Sequence, residues 1–464
     1  MDKEKIADIF RSYDIRGIYP TQLNEEIAEM IAQTFLRFLS KKLNKSIKNL
    51  HLAVARDIRE ASEPLIKKVI EIFLKYGVKI DNLDLISIND FYFAIGFYKY
   101  DGGLMATASH NPPEYGGFKL VMFNHETQSI EFIRGKNFYQ ELLETTFPLD
   151  EEKVQGEIKK KKILEDHLKH VFSFIDIKKI KPFKIVVDTG NGMMGVSIGR
   201  IFEKLPCQLI PMFAEYDSKF SNRSPNPLDK GAHEKISKKI LLERADFGVM
   251  YDVDGDRMFL LDEKGNFIRG DMTLLLLAKS MLEKNPGKGI VYNLICSHAV
   301  PELIAKWGGV PIRSEVGYMN LARHMREEDG IMSGEVSGHF AFKNNFYADS
   351  GLIALLLALQ TISEDGRKLS EIIKDYNLYA KGHEINVEVE NILEKLEIIR
   401  NNFKDNIKDE LDGITVEFDD WWFNVRPSNT EPLLRITVEA RNNEELVKHQ
   451  KEILAILDIK PKTE

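Results

Sequence analysis

The chain has 464 residues, 43% of them hydrophobic and 29% charged, and 64 basic against 72 acidic residues leave a net charge of −8. At about 150 residues per domain this length predicts roughly three domains, with two to four allowed, and the acidic balance disfavours nucleic acid or an anionic membrane as partner. Cys207 and Cys296 stand far apart, which argues against a disulfide framework or a thiolate zinc site, and a charged amino terminus with no long apolar run predicts a cytoplasmic protein.

Phe10 to Gly17, FRSYDIRG, puts Arg16 before a flexible glycine, and an amphipathic helix follows from about Asn24 with Ile27, Met30, Ile31, Phe35 and Phe38 on one face. An apolar strand, Leu50 to Ala55, runs into Arg56, Asp57 and Arg59, and a helix from Glu63 to about Tyr76 carries Leu65, Ile66, Val69, Ile70 and Phe73 at helical spacing. Such alternation predicts a parallel sheet with crossovers and places Ser109 on a loop beyond it, where α/β sheets tend to bind ligands. Within MATASHNPPEYGGFKL, Met105 to Leu120, Pro112 and Pro113 cannot continue a helix, so Ser109 and His110 sit on a constrained loop. Gly102, Gly103, Gly116 and Gly117 predict a backbone that passes close to a ligand on both sides. Alone, the stretch reads more simply as a proline-stiffened turn.

The charged segment from Asp150 to Lys162, with its lysine run Lys159 to Lys162, reads as a linker or a solvated helix start. A second α/β unit opens with a strand at Phe183 to Asp188 and a tight turn, Thr189 to Gly192, that meets neither the dinucleotide fingerprint nor the P-loop pattern; a helix is predicted from about Gly195. Past a proline and glycine loop and a further helix, the strand Phe247 to Tyr251 feeds Asp252. A third unit, roughly Gly265 to Tyr376, has strands at Ile290 to Leu294 and near Val310 to Ile312, with loop chemistry at Gly334 to His339 and Asp349 to Gly351. After it, strands at Glu384 to Val389, Ile414 to Phe418, Trp421 to Val425 and Leu434 to Ala440 and a helix from Glu444 to Leu457 predict an α+β domain with an antiparallel sheet.

Three stretches carry chemistry beside Ser109. In DVDGDR, the residues Asp252, Asp254 and Asp256 alternate, so on an extended segment their carboxylates project to one side and need a cation, and an all-oxygen set selects Mg²⁺. An EF-hand reading places Glu263 at the twelfth position but fails on Arg257 in place of the glycine and on strand-like flanks; a solvated acidic turn is the other alternative. In GEVSGH, Glu335 and Ser337 have the groups to take neighbouring sugar hydroxyls, although by itself the stretch reads more simply as a loop with a satisfied turn. In RPSNTEP, Arg426 with Ser428, Asn429 and Thr430 has the groups for an anion cradle; the alternative, a capped β-turn, explains the Pro, Ser and Asn but not the arginine.

In order from Tyr13 to Pro432, YDIRG, TASHNPPEYGGFK, DVDGDR, GEVSGH and RPSNTEP resemble the α-D-phosphohexomutase family, and the GEVSGH form is similar to its phosphomannomutase/phosphoglucomutase branch. The resemblance implies an α/β protein of four domains around a central cleft. Three would be α/β with mixed, largely parallel sheets and the carboxy-terminal one α+β with an antiparallel sheet, with borders near residues 152, 262 and 375. It also implies a phosphoryl group on Ser109, with Mg²⁺ held by Asp252, Asp254, Asp256 and a phosphoserine oxygen. His110, Lys119, Arg16 and His339 would serve proton transfer and charge stabilisation, with Arg257 beside the transferring phosphate. Glu335 and Ser337 would hold the sugar, and Arg426, Ser428, Asn429 and Thr430 the distal phosphate, while a hexose 1,6-bisphosphate intermediate turns over. The implied partners are small-molecule sugar phosphates.

The chain departs from the family pattern at Ser87 to Asp90, where a threonine-proline pair is common, at Gly116, and at Tyr318 and Ala322 in the domain III loop. A phosphoglucosamine mutase, a metal-dependent phosphatase and a non-catalytic sugar-phosphate sensor are the rival readings.

Overall fold

A computed structural model describes residues 3–149, 154–428 and 433–459. By its internal contacts the chain divides into two units, Met1–Thr273 with Ser337–Ser370, and Leu274–Val336 with Glu371–Glu464.

The first unit opens with a sheet in which His51–Arg56 is central and parallel to both Lys79–Leu85 and Gly102–Ala106. Beyond Gly102–Ala106 the sense reverses: Tyr115–Asn124 and then Ile15–Ile18 pair antiparallel. The crossovers are helices Ser62–Lys75 and Ile88–Tyr98. Helix Glu25–Leu43 is capped by Asn24, whose side chain accepts from Ile27 N, and it buries Ile27, Ile31, Phe35, Leu36 and Leu39. Its apolar face meets the next helix through Phe35 and Phe73, their rings 6.2 Å apart. That periodicity, read from sequence, is what places both helices.

Two expectations need correction here. The segment from Asp150 to Lys162 is only partly the linker or helix start expected: Glu157–Lys160 is an edge strand parallel to Lys79–Leu85, Lys161 and Lys162 lead into helix Leu164–Phe172, and residues 150–153 lie outside the described residues. All four residues of the strand are exposed, and lysines on such an edge discourage pairing with another chain. The glycine pairs do not open a path for ligand either. A Cβ on Gly117 would stand 2.4 Å from Ile15 O and 2.6 Å from Thr107 O, and one on Gly103 would meet Ile95 and Phe91, so these glycines allow strand and helix packing. Gly116 likewise lies against Ala61 and Leu65.

The second sheet of this unit sets Lys184–Asp188 between Gln208–Met212 and Phe247–Tyr251, all parallel, and adds Met258–Leu261 and Phe267–Ile268 antiparallel. The helix expected from Gly195 is a 3-10 turn, Met193–Val196, followed by a short helix, Ile198–Phe202. Hairpin Phe340–Phe342 and Ala348–Asp349 and helix Gly351–Asp365 complete the unit. Ser350 caps that helix by accepting from Ile353 N, and its residues Gly351 to Ser363 are all buried, as expected of a helix apolar on every side.

The second unit holds Gly289–Asn293 between the parallel strands Val310–Ser314 and Gly330–Gly334. Its other sheet is wholly antiparallel, with Leu433–Ala440 and Trp421–Pro427 at the centre and Ile414–Glu417, Ile407–Asp409, Ala380–Lys381 and Ile385–Glu388 around them. Helix Asn443–Ile456 covers it with Leu446, Ile453 and Leu454. Among the described residues no helix is long and apolar enough to cross a membrane.

Candidate active site

Ser109 leaves strand Gly102–Ala106 in the left-handed region at φ 51° and is 2% exposed. Its amide donates to Thr107 Oγ1 at 3.0 Å, and Asn111 N donates to Ala108 O at 3.1 Å, closing the loop before the prolines. The seryl Oγ is 3.1 Å from His110 Nδ1 and 3.4 Å from Asp254 Oδ1. Arg16 is fixed by both oxygens of Asp14, at 2.8 and 2.9 Å from Nε, and reaches Asn111 Oδ1 at 2.5 Å.

Sequence reasoning named Arg59 only as a strand end, yet its guanidinium is fully buried and carries the loop. It donates at 2.6 Å to each of Ser109 O, Asn111 O and Pro112 O. Asp57 lies 3.2 Å from Arg59 Nε and accepts from Arg59 N and Ser62 Oγ, at 3.0 and 2.5 Å. The only signal in the sequence was a charged pair, Asp57 and Arg59, directly after an apolar strand.

The aspartates converge differently from the extended segment expected. Asp252 to Asp256 form a bend, with Gly255 at φ 85°, and Asp252 Oδ1 accepts from Gly255 N and Arg257 N at 3.1 and 3.2 Å. One oxygen from each of Asp252, Asp254 and Asp256 lies within 4.8 Å of the others, and all three side chains are buried. Lys119, on strand Tyr115–Asn124, stands 2.7 Å from Asp254 Oδ2 and 2.7 Å from Asp256 Oδ2. Asp252 Oδ2 and Asp256 Oδ1 are buried without a hydrogen bond; Arg257 Nε lies 3.7 Å from the former and His339 Nε2 3.6 Å from the latter. Hard oxygens, buried and partly unsatisfied, suit a divalent cation.

Electrostatics separates these groups. Burial, together with Asp256 and Asp254, pushes the Asp252 carboxyl well above the usual range. Burial also raises Asp256, but Lys119, His339 and Arg257 outweigh it and hold that carboxyl low. Burial, Arg257 and Arg16 push His110 well below an ordinary imidazole, so it is neutral at pH 7. Ser337 Oγ lies 2.8 Å from His339 Nδ1. Arg16, Ser109, His110, Lys119, the three aspartates, Arg257, Ser337 and His339 thus all belong to the first unit.

The second unit carries Glu335, which accepts from Asn293 Nδ2 at 3.1 Å and Gly317 N at 3.2 Å. In the same unit Val316 N donates to Asp412 at 3.1 Å and Arg313 pairs with Asp409. Tyr318 opens helix Tyr318–Glu327, and Ala322 is buried on that helix. Arg426, 2% exposed, donates to Glu384 at 2.5 Å, and Arg435 donates to the other oxygen of Glu384 at 3.0 Å. Ser428 N donates to Leu433 O at 2.8 Å; Asn429 and Thr430 lie outside the described residues. The departure at Ser87 to Asp90 is a capping box that starts helix Ile88–Tyr98, and Asp90 is held 2.7 Å from His167 Nδ1.

Models of all four domains of phosphoglucomutase/phosphomannomutase match the chain. Its alpha/beta/alpha domains I, II and III fall on residues 7–131, 165–265 and 269–379, and the C-terminal domain on residues 384–456. The chain belongs to the phosphoglucomutase/phosphomannomutase family. Among curated members of this family, a phosphomannomutase of Vibrio cholerae is 35% identical over 97% of each chain. One of Methanocaldococcus jannaschii is 35% identical over 97% of this chain and 98% of that one. A solved phosphoglucomutase/phosphomannomutase family protein of Burkholderia thailandensis superposes with a TM-score of 0.85, 25% identity and 99% of each chain covered. At the level of fold alone, an Aspergillus fumigatus N-acetylphosphoglucosamine mutase solved with glucose 1,6-bisphosphate gives a TM-score of 0.59 at 14% identity, over 98% of each chain.

Proposed function

We propose that this phosphohexomutase interconverts the 6- and 1-phosphates of mannose, glucose or both, with Ser109 as phosphate carrier. The observation that carries the reading is the seryl oxygen 3.4 Å from Asp254 Oδ1, beside the carboxylate cluster and Lys119. Asp252, Asp254 and Asp256 would hold Mg²⁺, which when bound supplies charge neutralisation to the transferring phosphoryl group. His110, neutral and 3.1 Å from the seryl oxygen, takes up and returns the proton as the hydroxyl attacks and leaves. Lys119, Arg16 and Arg257 place positive charge around the phosphoryl oxygens, and His339 is a further proton carrier. Glu335 and Ser337 take sugar hydroxyls, and Arg426, Ser428, Asn429 and Thr430 hold the distal phosphate.

In the first half-reaction phosphoserine donates to the free hydroxyl of the hexose phosphate. The resulting hexose 1,6-bisphosphate reorients and returns its other phosphate to Ser109. A fold relative binds such a bisphosphate. Of the domain borders expected near residues 152, 262 and 375 we keep the third and move the first two past Glu157–Lys160 and Phe267–Ile268, which pair with the first and second sheets.

Mass spectrometry of the purified protein is expected to find phosphate on Ser109, and Ser109→Ala to lose about a thousandfold or more of the turnover, the scale of a lost nucleophile. Full turnover by that variant would overturn the carrier role. A coupled assay with mannose, glucose and glucosamine phosphates, bisphosphate primer and Mg²⁺ reads the substrate; phosphate release faster than isomerisation would mean a phosphatase.

A further inference from the structure

We propose that Asn89 is a positioning residue for the carboxylate loop, setting its affinity for a divalent cation from behind the site. The proposal rests on the reading of Asp252, Asp254 and Asp256 as metal ligands.

Three successive carbonyls of the bend that gathers those carboxylates are each captured by a different donor from another segment. Val253 O accepts from Met193 N at 2.7 Å and Asp254 O from Ile88 N at 3.2 Å. Gly255 O accepts from the Asn89 side-chain amide at 2.7 Å. The first two donors are backbone groups, which any substitution other than proline leaves in place; at Gly255 the donor is a side chain. Asn89 is 1% exposed, and the same amide group also accepts, through Oδ1, from Gly351 N at 2.9 Å. Gly351 is the first residue of the buried helix Gly351–Asp365, where the leading N–H groups lack intrahelical partners. One amide therefore joins the loop carbonyl to the start of a fully packed helix.

The geometry leaves little slack. A Cβ on Gly351 would lie 2.7 Å from Gly255 O, and one on Gly255 would meet Asn89 Nδ2 at 3.1 Å. Gly255 is also the left-handed residue on which the bend depends, at φ 85°. Its carbonyl shares a peptide group with Asp256 N, and its own N–H donates to Asp252 Oδ1, so a shift of Gly255 reaches two residues of the cluster. A buried donor and acceptor satisfied by a single side chain make a rigid support, because removing it strands both partners. The position falls in Ser87 to Asp90, the stretch where the chain departs from its family's pattern, and this contact gives the departure a use.

Three full-length variants test the proposal. Asn89→Asp keeps the acceptor for Gly351 N and turns a carboxylate toward Gly255 O; Asn89→Ala removes both contacts; Gly351→Ala presses on the same carbonyl without altering Asn89. Mn²⁺ binding, followed by the loss of the free-ion signal in electron paramagnetic resonance, is expected to weaken at least fivefold in all three. In turnover assays the Mg²⁺ needed for half-maximal rate should rise, with the sugar-phosphate KM unchanged at saturating Mg²⁺. Folded variants that bind Mn²⁺ as the wild type does, with only a lower Tm, would make Asn89 structural and overturn the proposal. Wild-type protein that binds no Mn²⁺ would instead overturn the metal reading, and the proposal with it.

Discussion

Arg59 shows what a side chain does when its partners are carbonyl groups. Its three donations at 2.6 Å gather Ser109, Asn111 and Pro112 around one guanidinium, while Asp57 balances the charge out of water. Removing one member of a buried pair leaves the other uncompensated, at a cost of about 3–5 kcal/mol. Arg59→Gln is therefore expected to lower stability by about 3 kcal/mol in urea unfolding. Arg59→Lys keeps the charge but not the planar fork, so it should recover most of the stability while turnover stays roughly tenfold low, about 1.4 kcal/mol of lost loop positioning. Equal turnover of Arg59→Lys and wild type would remove the loop-holding role. Ser109 and the three aspartates stood out as candidates in the sequence because their residue types carry chemistry themselves, while Lys119 entered through the family resemblance. Arg59 and Asn89 were not, because what they bind is backbone, and backbone carries no motif.

At the scale of elements, helical and strand periods located most of the core, and errors arose where a segment's neighbours decide its state. Glu157–Lys160 has no apolar face to betray a strand; it is held by backbone pairing to Lys79–Leu85 and by Lys159 and Lys161, 3.6 and 3.7 Å from the buried Asp81. Helix Leu164–Phe172 offers a test of another such packing. Its His170 rests against Phe93 and Phe346, with Nε2 3.0 Å from Asn345 Oδ1, and burial pushes the imidazole down to about 4. The unfolded chain takes up this proton near the ordinary value of 6.5, so the folded state loses stability as pH falls from there toward 4 and loses no more below it. The loss is roughly 2 kcal/mol, less than the full shift implies because the ring is partly exposed. His170→Gln should flatten that part of the pH–stability curve relative to wild type, measured as urea midpoints from pH 7 to pH 4. An unchanged slope would show that His170 is not responsible.

For the molecule as a whole, the four-domain order and the change from parallel-centred sheets to an antiparallel one were readable from the rhythm of strands and helices. The bend that brings the aspartates together was not, because alternation alone suggests an extended strand and the turn depends on Gly255 and on donors remote in sequence. Lys119 contacts two of the three carboxylates and offsets one of their charges, with Arg257 and His339 close to the others, so stripping metal with a chelator is expected to leave the protein folded. Adding Mg²⁺ back should raise Tm in proportion to the logarithm of its concentration, about 2.7 kcal/mol of stabilisation at a hundred times Kd. Unfolding on chelation would mean that the ammonium does not balance the cluster. The other end of the proposed substrate meets an occupied guanidinium too: Arg426 and Arg435 share the two oxygens of Glu384. Under the proposed function a phosphate arriving there would compete with Glu384 for this guanidinium, and its gain would be reduced by whatever part of that salt bridge it displaces. A grip moderated in this way would suit a doubly phosphorylated intermediate that, in the proposed reaction, is released by one end, turned, and caught by the other faster than it escapes.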